Sequence, residues 1–191
     1  MQYRTHLATS LVVSLPIMAA TDTLTVASIT AVGLGAVFPD IDEPHSWIGC
    51  RTRGISDFLN KVFGHRGITH SLLGILIVFL TIVLMVNLSE FRALTGLFFL
   101  LGYALHIIED SFSKSGVKWF VPFSDQKFQS GMGMVWYRTG SFIENLIFLG
   151  SVAVIILQIK ASSSDFHLIM GEDLATSLSE LLSNVNSFIA H

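Results

Sequence analysis

The sequence predicts an all-α integral membrane bundle of about five transmembrane helices, followed by a C-terminal amphipathic helix. Three observations predict it. Of 191 residues, 51% are hydrophobic and only 13% are charged, against about 25% charged in an ordinary soluble domain. The mean hydropathy is positive, at +0.64. Five apolar stretches, at residues 7–20, 24–38, 68–88, 93–108 and 142–159, alternate with short polar segments. No linker, charge block or fixed-period repeat divides the chain, so residues 1–160 read as one membrane-embedded domain and 161–191 as a tail. The single Cys50 forms no internal disulfide. A formal charge of −3 without a long basic tract gives no footing for a nucleic-acid partner.

A spanning helix needs about 20 predominantly apolar residues. The third stretch meets this outright, and the fourth and fifth come close. The first two are short, and Pro16 is a candidate kink in the first. Residues 7–20 also resemble the apolar region of a signal peptide. Arg4 is the only charge before them, however, and the next apolar run starts after Thr21, Asp22 and Thr23, the spacing of a tight helical hairpin. In the tail, Leu174, Leu178, Leu181, Leu182, Val185, Phe188 and Ile189 recur at helical spacing. The polar face there is rich in Ser and Asn and lacks Lys and Arg, which predicts an interfacial helix that is no binder of anionic lipid.

The polar residues are sparse and fall at particular ends of these stretches. His6 precedes the first helix, FPDIDEPHS ends the second and FGHRGITHS opens the third. GYALHIIED ends the fourth, and RTGSFIEN opens the fifth. In a serpentine of five spans, all five of these positions lie on one side of the membrane. The converging set is His6, Asp40, Asp42, His65, His70, His106, Asp110 and Glu144. Imidazole with carboxylate is a ligand set for zinc, manganese or iron. His106 and Asp110 are four residues apart, so they share one helix face and can grip one ion.

Each cluster also has a plainer reading. Pro39 with Asp40 and Asp42 makes an ordinary helix stop, Glu144 suits the positive end of a helix dipole, and His45, His167 and His191 read as surface histidines. The plain readings do not account for the coincidence of eight candidate ligands on one face. Ionisable groups at membrane depth cost roughly 2.5–3.5 kcal/mol on insertion scales and are kept for partners and functions. Eight exceeds the three protein ligands of one catalytic zinc, so either two ions are held or some of the eight support the ligands from behind. Arg66, between His65 and His70, offers a guanidinium fork for a phosphate oxygen, so a phosphoester fits better than a peptide.

The segments FPDIDEPHS, FGHRGITHSLL, GYALHIIED followed by SGVKWFVPF, and ENLIF resemble the YdjM-type inner-membrane proteins, described as LexA-regulated membrane-bound metal-dependent hydrolases. The resemblance runs over residues 1–148. That family looks distantly similar in ligand pattern to the helical zinc-dependent phospholipase C and P1 nuclease group, although the HxxxE pairing of the phospholipases has no counterpart here. The resemblance implies a location in a bacterial inner membrane. It also implies metal ligands at His6, Asp40, His65 or His70, His106, Asp110 and Glu144.

The expected function is therefore a membrane-bound hydrolase using zinc, with manganese or magnesium as alternatives, on a phosphoester of a lipid or lipid-linked substrate. Arg66 holds the phosphate and Asp42 takes the proton. Two other classes use the same residues: an ion or metal transporter, and a structural membrane protein with a metal site. Transport sites lie towards the midplane between broken helices, whereas these residues sit at helix ends. With the amino terminus inside, nine of the 11 Lys and Arg residues fall in inner segments, leaving Arg92 and Lys160 outside. This places the site on the cytoplasmic side.

Overall fold

A computed structural model of the chain describes residues 1–130 and 137–161. The tail predicted to be amphipathic lies outside the described residues, apart from Ala161, which closes the last helix. Among the described residues the protein is all-helical, with α1 (Tyr3–Ala20), α2 (Val26–Val37), α3 (Arg53–Phe63), α4 (Leu72–Leu88), α5 (Ala93–Ser111) and α6 (Phe142–Ala161). Tight 3-10 turns at Phe38–Asp42 and Gly49–Arg51 lie between α2 and α3, and another at Ile68–His70 lies between α3 and α4.

The five apolar stretches become α1, α2, α4, α5 and α6. Thr25 caps α2 by accepting from the Ser28 N–H at 3.1 Å, and Ser71 caps α4 by accepting from the Gly74 N–H at 3.2 Å. Pro16 does not end α1. Among the described residues, two helices suit a crossing by length and composition, Ala93–Ser111 and Phe142–Lys160, while the apolar Leu72–Leu88 is shorter. At 1.5 Å per residue, the 12 residues of α2 rise only about 18 Å, well short of the roughly 30 Å hydrocarbon core. Residues 53–63, which belong to none of the five apolar stretches, are also helical. They form α3, because Ile55, Phe58, Leu59 and Val62 recur at helical spacing between the polar positions.

The centre of the bundle is the α2–α5 pair. A Cβ at Gly35 would overlap the Phe99 carbonyl, and one at Gly102 would overlap the Val32 carbonyl, so the two glycines let the backbones touch. Met18, Ala31, Val32 and Phe98 fill one end of the core, and Tyr103, Ile107 and Val117 fill the other, beneath the polar cluster. The outer faces of α4 and α6 expose Leu76, Leu80, Leu84, Leu146, Leu149 and Leu157. This is the pattern of helices whose outward side meets hydrocarbon.

Candidate metal centre

The ends of α1, α2 and α5 meet the turns before α4. His6 enters from the first turns of α1. Asp40 and Asp42 come from the 3-10 turn that follows α2, and His106 and Asp110 lie one helical turn apart on α5. Gly64 (φ 72°) and Arg66 (φ 59°) both adopt left-handed backbone and swing His65 and His70 back towards Asp42. His6, His70, His106, Asp42 and Asp110 are all buried, and Asp40 is nearly so.

The outward nitrogen of each buried histidine is fixed by an acceptor. His106 Nδ1 lies 2.6 Å from the Ala36 carbonyl oxygen, which can only accept, so Nδ1 carries the proton. His6 Nδ1 faces Glu109 Oε2 at 2.6 Å, and His70 Nδ1 faces Asp42 Oδ2 at 3.2 Å. In the neutral imidazoles the three Nε2 lone pairs therefore point inward. His70 Nε2 and His106 Nε2 are 3.2 Å apart. Asp40 Oδ1 lies 3.7 Å from the first and 3.6 Å from the second, and Asp110 Oδ2 lies 3.8 Å and 3.9 Å from them. His6 Nε2 is 3.5 Å from Asp110 Oδ1, and its ring stacks on His106 at 3.7 Å between centroids.

Among the described residues, two groups of donor atoms result, His6–His106–Asp110 and Asp40–His70–His106, with His106 common to both. Four ligands at 2.0–2.1 Å from a tetrahedral ion lie about 3.3 Å from one another, and these separations bracket that value. His6 Nε2 and Asp110 Oδ2 are buried without a hydrogen-bond partner. Arg66 Nη2 approaches Asp110 Oδ2 at 2.7 Å, off the hydrogen-bonding direction, and the α-amino group of Met1 lies 2.7 Å from Oδ1. Buried polar atoms left unpaired are costly, and a cation shared among inward lone pairs satisfies them. The residues fit a divalent ion.

Electrostatics in the turns agree. Burial alone would raise the Asp40 and Asp42 carboxyls, but the facing histidines hold both well below the usual carboxylate range. Burial would lower His70, yet the facing Asp40 and Asp42 carboxylates, Asp42 through a hydrogen bond to Nδ1, hold it up at about 9. The carboxylates thus concentrate negative charge around the converging imidazoles.

Several predicted residues sit elsewhere. The Asp42 carboxylate is occupied by His65 Nδ1 at 3.0 Å, the Arg66 N–H at 3.0 Å, the Thr69 hydroxyl and His70. It orients its neighbours and joins neither donor group. His65 stands outside both groups with its side chain 39% exposed. Arg66 donates through Nη1 to Ser113 Oγ at 2.9 Å, and its Nε is buried without a partner. Glu144 also lies outside both groups. Its carboxylate accepts from the backbone N–H groups of Gln2 and Gly140 at the start of α6. Glu109 lies outside the sequence-predicted set, although a second acid in the apolar α5 is a signal for it. It holds His6, and Oε1 accepts from Ser10 Oγ at 3.1 Å. The Tyr103 hydroxyl, donating to the Thr69 carbonyl at 2.5 Å, had no sequence signal. A cavity of about 410 Å³ opens over the cluster, lined by Gln2, Tyr3, Asp40, Trp47, His65 and Arg66 among others.

Fold and site together define a helical membrane protein with a buried His/Asp centre at the ends of its helices. The chain matches the family described as YdjM inner membrane protein over residues 1–170, and it belongs to that family. Over 87 residues it is 41% identical to the inner membrane protein YdjM of Escherichia coli (strain K12), covering 44% of this chain and 43% of the relative. The figures for the Shigella flexneri YdjM are the same. The match therefore spans less than half the length of both relatives. Over 117 residues the chain is 35% identical to the uncharacterized protein YvsG of Bacillus subtilis (strain 168), covering 61% of this chain and 68% of that one. No solved structure matches.

Proposed function

We propose that this inner-membrane protein is a metal-dependent hydrolase of a phosphoester in a lipid or lipid-linked substrate. The observation that carries the reading is the fixed orientation of three buried imidazoles, each with Nδ1 turned out to an acceptor and Nε2 turned in. Binding of a metal through neutral imidazoles that donate their other N–H to carboxylates or carbonyls is a recurring arrangement. His6, His70, His106, Asp40 and Asp110 would hold the ion, and the predominance of nitrogen favours zinc over magnesium, with manganese as the alternative. Bound there, a divalent ion supplies water with a pKa near 7 instead of 15.7 and a positive charge for a phosphoryl oxygen.

The remaining roles belong to residues at the cavity. His65, with Nδ1 held by Asp42, presents its other nitrogen as the proton carrier. Asp42 acts as the positioning residue behind His65 and His70, a different use from proton acceptance by Asp42 itself. Arg66 lines the cavity and offers the charge of its guanidinium to a phosphate there. The excess of Lys and Arg in the segments beside the site supports a cytoplasmic orientation. A five-span bundle, with α1 and α2 as short partial crossings, remains part of this proposal. The likeness to phospholipase C and P1 nuclease rests on ligand type alone.

Metal content of the purified protein tests the reading, together with release of phosphate or alcohol from a panel of phosphoesters. A divalent transition metal should copurify, be lost in the His106→Ala, Asp110→Ala double variant, and be required for turnover. Unchanged stoichiometry in the double variant overturns the site. Metal bound without any phosphoester turnover overturns the hydrolase.

A further inference from the structure

A second cavity, of about 280 Å³, runs along the outer side of α1 and α2, and its lining includes Leu7, Gly33, Leu34 and Val37. Its character is the reverse of the first, since those four residues offer only apolar surface. Tyr3 and Trp47 line both cavities. Their rings stack at 5.8 Å between centroids and 26° between planes, forming a threshold with the His/Asp centre on one side and the apolar groove on the other. Trp47 is held in place: the Arg51 guanidinium lies 4.0 Å from its ring centroid, and Arg51 Nη1 donates to the Trp47 carbonyl at 2.6 Å. Tyr and Trp are the residues that suit a boundary of which one side is wet and the other apolar.

The groove exists because position 33 has no side chain. A Cβ built on Gly33 would meet Leu7 Cδ2 at 3.4 Å, an ordinary contact, so space rather than tight packing surrounds it. Gly35 and Gly102 differ, since backbone fills the place of their Cβ. Among the described residues, the apolar cavities beside Leu72, Trp119 and Phe120 share no lining residue with the cavity over the centre. The α1–α2 groove is therefore an apolar surface continuous with the site.

We infer that the α1–α2 groove binds the hydrocarbon chain of the molecule whose phosphate meets the His/Asp centre, with Tyr3 and Trp47 as the crossing point between headgroup and chain. The inference rests on the phosphoester reading and deepens it. The ligand is a phosphorylated membrane lipid entering sideways from the bilayer: its anionic head passes Arg51 and Arg66, and its chain stays in the apolar groove. Thr30 marks the far end. From Thr30 to Val37 the groove follows α2 for roughly 10 Å at 1.5 Å per residue.

The test uses the full chain in phosphatidylcholine nanodiscs with a phosphatidic acid that carries a diazirine on its acyl chain. The same probe made as diacylglycerol, lacking the phosphate, is the control. After irradiation, labelled peptides are quantified, with α6 as the internal standard for contact with bulk lipid. The phosphatidic acid probe should label the peptides containing Leu7, Leu34 and Val37 at least tenfold more than the diacylglycerol probe, while α6 labelling is equal for both. Gly33→Leu should fill the groove and remove that excess, with metal content unchanged, whereas Gly33→Ala should lose little. Thr30→Phe, at an exposed position, serves as a second plug should Gly33→Leu fail to fold. Equal groove labelling by the two probes, or an excess that survives both plugs, overturns the inference. The two readings fail separately. Metal bound with an unlabelled groove removes only the chain site, while phosphate-dependent groove labelling without metal removes the hydrolase and leaves a lipid-phosphate binding site.

Discussion

Asp42→Asn should lower metal affinity about 10- to 100-fold while leaving the fold intact. In the native carboxylate Oδ2 is approached by the Arg66 N–H, the Thr69 hydroxyl and His70 Nδ1, whereas Oδ1 is approached by His65 Nδ1 alone. An asparagine keeps three of these four partners by placing its carbonyl at Oδ2 and its amide nitrogen at Oδ1. The His70 bond then loses its charge assistance. Such bonds are worth about 1.5–3 kcal/mol, against roughly 0.5–1.5 for neutral ones, so about 1–1.5 kcal/mol of orientation is lost there. The ligand nitrogen also becomes less basic, and removing a partner of this kind costs about 1.4–2.7 kcal/mol of metal binding in other sites. His65 must reverse its tautomer to accept from the new amide, so turnover should fall further than metal affinity does. Competition against a fluorescent chelator measures the affinity, and thermal unfolding in detergent checks the fold. A well-folded Asn variant with wild-type affinity would refute the orienting role of Asp42 and the tautomer assignment built on it.

Gly102→Ala forces apart the α2 and α5 backbones that position Ala36 against His106. It should cost about 1–3 kcal/mol by overpacking, with a lower unfolding temperature and weaker metal retention; wild-type values for both would mean that the close crossing does not set the site. In chelated protein, the elevated His70 pKa predicts a stability contribution that is complete below pH 6.5 and lost as pH rises through about 9. Unfolding temperatures should decline across that window in the wild type and stay flat in His70→Gln, and parallel profiles would contradict the His70–Asp42 and His70–Asp40 pairings. A reporter fused after Ile159 should lie outside the cytoplasm if five segments cross with the amino terminus inside; a cytoplasmic reporter there requires an even number of crossings or an inverted chain.

The apolar runs made the helices legible, since their lengths and the turn residues between them match α1, α2, α4, α5 and α6 to within a few residues. The spacing of His106 and Asp110 placed both on one face of α5, where both join the same donor group. Order along the chain could assign residues to a side of the membrane, but not to a depth or a partner. Asp42 and Asp40 are two residues apart and read alike. One is saturated by four donors, and the other keeps an oxygen towards two imidazoles. Glu144 begins α6 on the expected side, yet backbone N–H groups claim its carboxylate. The apolar period of α3 was present in the sequence, but not which side it faces: Ser56 and Asn60 point inward, Asn60 donating to the Asp42 carbonyl at 2.8 Å, while Ile55, Phe58 and Val62 are exposed.

The shortness of α2 is part of the chemistry. A helix leaves its last four carbonyls without an intrahelical partner, and buried carbonyls in a bilayer protein must be satisfied from elsewhere. Pro39, which has no N–H, stops the α-helical ladder, so α2 ends at Val37 and the Ala36 carbonyl is left facing α5. His106 Nδ1 donates to it at 2.6 Å. The same hydrogen bond closes the helix end and fixes which nitrogen of His106 is free. The turn that follows brings Asp40 to the two inward nitrogens and Asp42 to the back of His70. A longer α2 would carry its ordinary helical hydrogen bonds through this region and leave His106 without an acceptor, its tautomer undetermined. What reads in the sequence as a plain helix stop, FPDID, is therefore the element that converts a helix crossing into a set of oriented imidazoles and carboxylates.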